Sequence, residues 1–223
     1  MSKAIEFLID SNTQREAEQY LESLLFADKA ILAFQQEKNL LRVAESFAAR
    51  SITFKLLYRQ THDKLFLVLA TSAASTAVSV ARHHGEKSSL AIPLFGLAKT
   101  QAEAEDHKSA IISYQEAIEI MENQPPVEHD KPEVLADMKV HLAVSQYKAG
   151  DTSVTSTIYN AIKVLESSDL SYERNAWLSG AYMRLAELLK SKDHLIKAKE
   201  IIDSDPRLTI RLKQWTELSS KLK

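Results

Sequence analysis

Short polar turns recur along this chain at nearly constant spacing, and an aspartate stands at the same place in each. The aspartates are separated by 43, 45 and 42 positions. They are Asp63, Asp106, Asp151 and Asp193. An aspartate at a helix start accepts hydrogen bonds from backbone N–H groups that have no partner within the helix, and its charge complements the helix dipole. The spacing therefore predicts four helical hairpins of about 44 residues, each with an aspartate in its internal turn.

The composition favours an almost wholly helical protein. Only 4 glycines and 5 prolines interrupt 223 residues rich in Ala, Leu, Glu, Lys and Gln. An apolar content of 45% is enough to bury a sizeable core. We expect one all-α domain over 1–223, with N-terminal helices at 1–39, hairpins at 40–204 and a capping helix at 205–223.

Helix bounds follow from the turn and capping signals. The first helices of the hairpins are predicted at 40–60, 89–104, 133–149 and 171–191, and the second helices at 63–83, 107–123, 152–167 and 194–204. At the N-terminus we expect a short helix over 2–10, and then a longer one that begins at the Thr13 and Glu16 capping box and runs to Lys38. In the last helix one apolar stripe is predicted, made of Leu208, Leu212, Trp215 and Leu222.

The segment 94–127 carries a family resemblance. Its second half has Ala110, Tyr114 and Ala117 in the spacing A-x-x-x-Y-x-x-A, and its first half has large and small residues at matching places: Leu94, Leu97, Ala98 and Gln101. This pattern resembles a tetratricopeptide (TPR) unit, although the repeat here is longer than the standard unit of about 34 residues. Over 40–204 the resemblance implies a right-handed α-α superhelix, a TPR-like solenoid.

In TPR-like arrays the first helices line a concave groove, which receives an extended peptide or a partner helix. Carried onto this sequence, the resemblance implies a groove formed by Phe95, Lys99, Val140, Val144, Tyr147, Met183 and Glu187. Two alternatives stay open: Phe95, Val140 and Tyr147 are core residues, or the N-terminal helices fill the groove. The family's clamp for a terminal carboxylate is not expected, because its positions hold only two cations and no asparagine: Phe95, Lys99, His141, Gly180 and Arg184.

Motifs for catalysis, cofactors or metals do not emerge from the sequence. The chain has no cysteine, which excludes disulfides and thiolate chemistry. Its 7 histidines form no H-E-x-x-H or comparable ligand set, and glycine is too scarce for a phosphate-binding loop. We therefore expect no enzyme, and no catalytic, cofactor-binding or metal-binding residues.

The charge distribution argues against nucleic acid as a partner. The formal net charge is −2, so no global basic field is available. Basic residues near the C-terminus are interspersed with acidic ones.

Signals for membrane insertion or export are weak. Residues 65–81 form a run of 17 without a charge, which is at the lower limit for a membrane span. Several Ser and Thr side chains interrupt this run, and a buried helix is expected instead. Glu6 and Asp10 interrupt the apolar N-terminus, as a secretory signal would not, so the predicted location is cytoplasmic.

Together these observations predict a non-catalytic scaffold that binds a peptide or helix of a protein partner. Two alternatives remain open at this point. One is a regulatory module that senses a peptide or small ligand, and the other is a structural homo-oligomer that uses the same surface on itself.

Overall fold

The computed structural model describes residues 2–222, and within them the chain is helical without a β-strand. This confirms the all-α class. The described residues form eleven α-helices: α1 Lys3–Glu16, α2 Tyr20–Gln36, α3 Leu40–Thr61, α4 Lys64–His84, α5 Ala91–Glu103, α6 His107–Asn123, α7 Pro132–Lys148, α8 Thr155–Ser167, α9 Tyr172–Leu189, α10 Lys192–Ser204 and α11 Thr209–Lys221. Short 3-10 helices occur at Lys87–Leu90, Val127–His129 and Thr152–Val154.

The helices belong to two compact units. Unit 1 ends at Glu128 and holds α1 to α6, and unit 2 begins at His129 and holds α7 to α11. The continuity of both units in a single array over 1–223 stays a prediction.

A left-handed residue marks the turn inside each helix pair. These residues have φ between 52° and 108° and are Glu18, His62, Glu105, Gly150 and Lys190. The helices on either side of each turn pack against each other: α1 with α2, α3 with α4, α5 with α6, α7 with α8 and α9 with α10. The left-handed residues are 44, 43, 45 and 40 positions apart, so a helical hairpin recurs at the expected interval.

In three of the turns an aspartate caps the following helix or 3-10 turn, as predicted. Asp63, Asp106 and Asp151 accept hydrogen bonds from the backbone N–H groups of Leu65, Ser109 and Ser153. In the last turn, however, the N-cap is Ser191, and Asp193 lies inside the first turn of α10. The expected equivalence of Asp193 with the other aspartates was wrong, because Ser191 directly follows the left-handed Lys190, as Asp63 follows His62 and Asp106 follows Glu105.

The N-terminal region differs from the expectation of helices at 2–10 and 13–38. Helix α1 continues through Ser11 and Thr13 to Glu16, and the chain turns at Glu18 instead. The reason is tertiary: Ser11 is buried, and its hydroxyl donates a hydrogen bond of 2.9 Å to the carbonyl of Ser23 on α2. The N-terminal helices therefore form a hairpin of their own, with its turn 44 positions before that of α3 and α4.

Helix α4 packs through one face of small side chains. The buried residues are Ala70, Ala73, Ala74, Ala77, Val78 and Ala81. Small residues allow close approach of α3, and the Ser51 hydroxyl donates to the carbonyl of Ala70 at 2.8 Å. By length and composition the helix Lys64–His84 could cross a membrane: an 18-residue window of it has a mean hydropathy of 1.6, and 33% of that window is buried. Within unit 1 its alanine face contacts α3 and α5, and Leu65 and Val68 are exposed.

Helix α11 covers the end of unit 2 by packing against α9 and α10. Leu208 is buried, Trp215 and Leu218 pack against the core, and the Trp215 indole N–H donates to the carbonyl of Leu195 at 2.8 Å. Leu212 belongs to the predicted stripe but is 40% exposed. The last helix thus has the apolar contact face that a cap requires.

Candidate functional site: one side of the first helices

The predicted groove residues occupy corresponding places on three helices. Counted back from the left-handed residue that follows each first helix, Phe95 and Val140 stand ten positions before it, and Lys99 and Val144 six. Met183 stands seven positions before its turn, and Tyr147 and Glu187 stand three. One turn of helix separates these places, so the residues on each helix lie along one side. The structure describes the α5 residues in unit 1 and the α7 and α9 residues in unit 2.

In unit 1 the first helices α3 and α5 lie in contact and are joined by an ion pair. The guanidinium of Arg59 donates two hydrogen bonds to the Glu103 carboxylate, at 2.8 Å and 2.6 Å. One turn further into α5, the Lys99 ammonium lies 4.3 Å from the ring centre of Phe95, a distance at which a cation is attracted to an aromatic face. Phe95 itself is only 8% exposed and packs against Tyr114.

Lys55 on α3 completes this cluster, and sequence analysis did not select it. The side chain is buried, with 8% of its surface exposed. Burial, together with the positive charges of Lys99 and Arg59, lowers the pKa of the Lys55 ammonium from 10.5 to about 7, against the opposing charge of Glu103. We call Lys55, Arg59, Phe95, Lys99 and Glu103 the α3–α5 cluster.

In unit 2 the predicted residues divide into buried and accessible members. Val140 is completely buried and Met183 is 8% exposed, and both belong to the hydrophobic core of the unit. Val144 packs at the edge of this core and Tyr147 is half-buried. Glu187 is exposed. Val144, Tyr147 and Glu187 therefore retain accessible surface, whereas Val140 lies within the core.

The same kind of ion pair joins the first helices of unit 2. Lys148 on α7 and Glu187 on α9 are 3.6 Å apart, and the Tyr147 hydroxyl lies 3.5 Å from the carbonyl of Leu188. Both ion pairs, this one and Arg59 with Glu103, stand two or three positions before the left-handed residues. These ion pairs have a recognisable sequence pattern: a basic residue near the end of one first helix and an acidic residue near the end of the next. The pattern can be identified once the positions of the turns are known.

The remaining positions that were compared with the TPR carboxylate clamp make contacts within unit 2. A guanidinium nitrogen of Arg184 is 2.9 Å from Nε2 of His141, and Asp137 lies 3.7 Å from the same nitrogen. At Gly180 a Cβ atom would stand 2.8 Å from Arg184 and 3.1 Å from Arg211. Glycine there leaves the space that these two guanidinium groups occupy.

Among residues 2–222 no group of three or more His, Asp or Glu side chains is arranged to hold a metal ion. Tyrosine hydroxyl groups and a histidine connect α8, α9 and α10. There the Tyr182 hydroxyl donates to Glu166 at 2.6 Å, and the Tyr159 hydroxyl is 3.2 Å from His194 Nε2. Burial and the charge of Lys197 lower the pKa of His194. These contacts connect neighbouring helices.

Comparison with known proteins gives a fold and no family. No protein-family model and no curated protein matches the sequence. Among solved structures the chain is similar to the crystal structure of BtubC (BKLC) from P. vanneervenii, with a TM-score of 0.64 and 13% sequence identity. The match covers 95% of this chain and 78% of that chain. At this identity the similarity concerns the fold alone.

Proposed function

We propose that this protein is a non-catalytic scaffold that binds a peptide or helix of a partner protein along one side of its first helices. One observation carries the proposal: within each unit, successive first helices lie side by side and are joined by an ion pair near their turns. Side chains at corresponding positions of two helices thereby share one surface. Such a surface, with apolar side chains between charged ones, suits a peptide.

We further propose the finer fold assignment, a right-handed superhelix of the tetratricopeptide type. It is supported by the interval between left-handed turn residues and by the small and aromatic packing residues of α6, Ala110, Tyr114 and Ala117, which are all fully buried. In a superhelix of this type the first helices of successive repeats line the concave side. The proposed binding side follows from this arrangement.

The test is recovery of a partner with variants that change the proposed surface and leave the core intact. The tagged protein is captured from the cells it comes from, and partners are identified by mass spectrometry. Lys99→Glu alters the surface in unit 1, and Glu187→Lys alters it in unit 2. Lys163→Glu is the matched control, because Lys163 is exposed on the second helix α8.

We expect a stoichiometric protein partner with the wild type and with Lys163→Glu, and less of it with either surface variant. Circular dichroism confirms that all variants remain folded. Equal recovery with every variant contradicts the proposed side. A protein without a protein partner, measured by light scattering as a monomer, favours a small-ligand sensor, whereas a dimer favours self-assembly.

A further inference from the structure

Helix α2 presents a row of leucine side chains to solvent. Leu21, Leu25 and Leu32 are between 53% and 72% exposed, and their spacing of four and seven positions places them along one face of the helix. Ala27 and Ala30 on the other side of α2 are completely buried. We call the three exposed leucines the α2 stripe. Apolar side chains thus line the outward face of α2 over about three turns.

Helix α4 extends this apolar surface. Leu24 of α2 and Leu69 of α4 pack against the same core cluster, which contains Phe54 of α3, so α2 and α4 are neighbours at this level. Leu65 and Val68 of α4 are more than half exposed. The α2 stripe and these two residues therefore belong to one apolar surface, formed by the second helices of the first two hairpins.

The size of this surface matches the apolar part of a stable dimer interface. At roughly 80 Å² for each exposed side chain, the five residues present about 400 Å² of apolar surface, which is within the range of the largest patches on monomeric proteins, and such patches are often functional. A standard interface takes about 800 Å² from each partner, of which a little more than half is non-polar. The surface is therefore large enough for a second protein molecule.

Two exposed charges of opposite sign flank the α2 stripe on one side. Glu22 follows Leu21 by one position, and Lys29 lies seven positions after Glu22, so both stand on the same edge of the stripe. A two-fold axis perpendicular to two antiparallel helices brings the same edge of each helix together. With the axis next to Leu25, Glu22 of one copy lies beside Lys29 of the other, and this pairing occurs twice.

The centre of the stripe also fits its own copy. Asp28 would interrupt the row of leucines, but its carboxylate is directed to Arg50 of α3 at 3.3 Å. In the antiparallel arrangement Leu21 of each copy reaches the resulting gap, between Leu25 and Leu32 of the other. The surface is thus complementary to itself in shape and in charge.

We infer that unit 1 binds a second copy of this chain, with α2 of the two copies packed antiparallel about a two-fold axis next to Leu25. Residues 65–81 of α4 carry no charge, so the arrangement brings no like charges of this segment together. The interface is built from second helices, whereas the proposed partner side is built from first helices. The inference therefore does not rest on the proposed function, and either can fail while the other holds.

Sedimentation equilibrium of the full chain between about 1 and 200 µM measures self-association, and we expect a dimer with a dissociation constant in the micromolar range or below. Leu25→Glu should be monomeric over the whole range, because two carboxylates would meet at the axis inside an apolar contact. Ile196→Glu is the matched control, since Ile196 is 55% exposed on the second helix α10 of unit 2, and this variant should dimerise as the wild type does. Circular dichroism confirms that both variants fold.

Exchange of the flanking charges tests the antiparallel arrangement itself. Two copies of Glu22→Lys bring only positive charges together at this edge, and two copies of Lys29→Glu bring only negative ones, so each variant should dimerise about tenfold more weakly than the wild type. A mixture of the two variants, one labelled with a donor fluorophore and the other with an acceptor, should associate as tightly as the wild type. In that mixed dimer opposite charges again meet twice.

A wild type that remains monomeric at about 200 µM overturns the inference. So does a dimer that persists in Leu25→Glu, because another surface would then hold it. A mixture of the two charge variants that associates no better than either variant alone contradicts the antiparallel arrangement and overturns the inference as well. Binding of a monomeric wild type to phosphatidylcholine vesicles, lost in Leu25→Glu, would assign the surface to a lipid bilayer instead.

Discussion

At the scale of single residues, the burial of Lys55 is the property that the sequence did not predict. A lysine in an amphipathic helix is ordinarily read as solvated, and nothing in the neighbouring letters indicates otherwise. Lys55 is buried in a helix that packs against α2, α4 and α5. The predicted residues Phe95 and Lys99 were selected through the family register, and they lie in the same cluster. Whether they contact a partner stays a prediction.

Replacing Lys55 by methionine is expected to stabilise the protein at neutral pH. In the folded state burial and the positive charges of Lys99 and Arg59 lower the pKa of the Lys55 ammonium to about 7. An apolar side chain of similar length removes that penalty, and the free energy of unfolding should rise by about 1–4 kcal/mol. Urea denaturation of the wild type and Lys55→Met measures it. A less stable variant would mean that the ammonium has a partner within the fold.

The advantage of Lys55→Met should shrink in alkaline solution. The unfolded lysine binds its proton up to about pH 10.5, whereas the folded one loses it near pH 7. Between these values the unfolded state binds more protons, so the wild type gains stability relative to the variant as the pH rises. Denaturation curves at pH 7 and pH 10 test this, and Lys64→Met, which retains Lys55, should follow the wild type. A difference that grows with pH would contradict the assignment.

At the scale of the elements, the repeated hairpin is set by its turns. A left-handed residue followed by a capping side chain ends one helix and begins the next, and this local arrangement recurs with little regard to the packing residues. Four of these left-handed residues are not glycine. Residue identity alone therefore locates the turns poorly, and the capping residues were the better guide.

In the last hairpin the N-cap residue, Ser191, and the aspartate at the repeat spacing, Asp193, are different residues, so their contributions to stability can be measured separately. Ser191→Ala should cost about 1 kcal/mol of unfolding free energy, because the serine side chain caps α10. Asp193→Ala should cost only a few tenths of a kcal/mol, since the Asp193 carboxylate is not the N-cap and lies in the first turn of α10, where its charge complements the helix dipole. Thermal denaturation of the two variants compares them. A larger loss from Asp193→Ala would restore the equivalence expected from the sequence.

Within unit 2, charge substitutions at two of the predicted groove residues should change the free energy of unfolding by very different amounts. Val140 is fully buried among core residues of α7, α8 and α9, so Val140→Glu should destabilise by about 4 kcal/mol or more. Glu187→Lys lies at an exposed ion pair and should change stability by less than about 1 kcal/mol. Chemical denaturation measures both. A folded Val140→Glu variant of normal stability would place this residue at the surface.

At the scale of the whole molecule, the chain divides at a proline-rich connection. Residues 124–131 lie between α6 and α7, and Val127 within them is 94% exposed. The two compact units meet in sequence at Glu128. The sequence did not indicate a boundary between units here, because the interval of the turns continues across this stretch.

Limited digestion with a glutamyl endopeptidase should cut first after Glu128. Glu128 is exposed and lies in the short 3-10 turn between α6 and α7, whereas most other glutamates lie in α-helices. Mass spectrometry of the early fragments identifies the site. Glu128→Gln should remove this early cut without altering the others, and first cleavage within a helix would contradict the assigned boundary.

By itself the sequence determined the helical class, the interval of the turns and the side of each first helix on which candidate residues stand. These depend on local patterns: helix propensity, capping side chains and the period of the α-helix. Only the tertiary structure decided that Ser11 continues α1, that Val140 lies beneath the surface and that Lys55 is buried in a cluster of like charge. Each of these depends on which helix packs against that side chain, and such contacts join residues far apart in the chain.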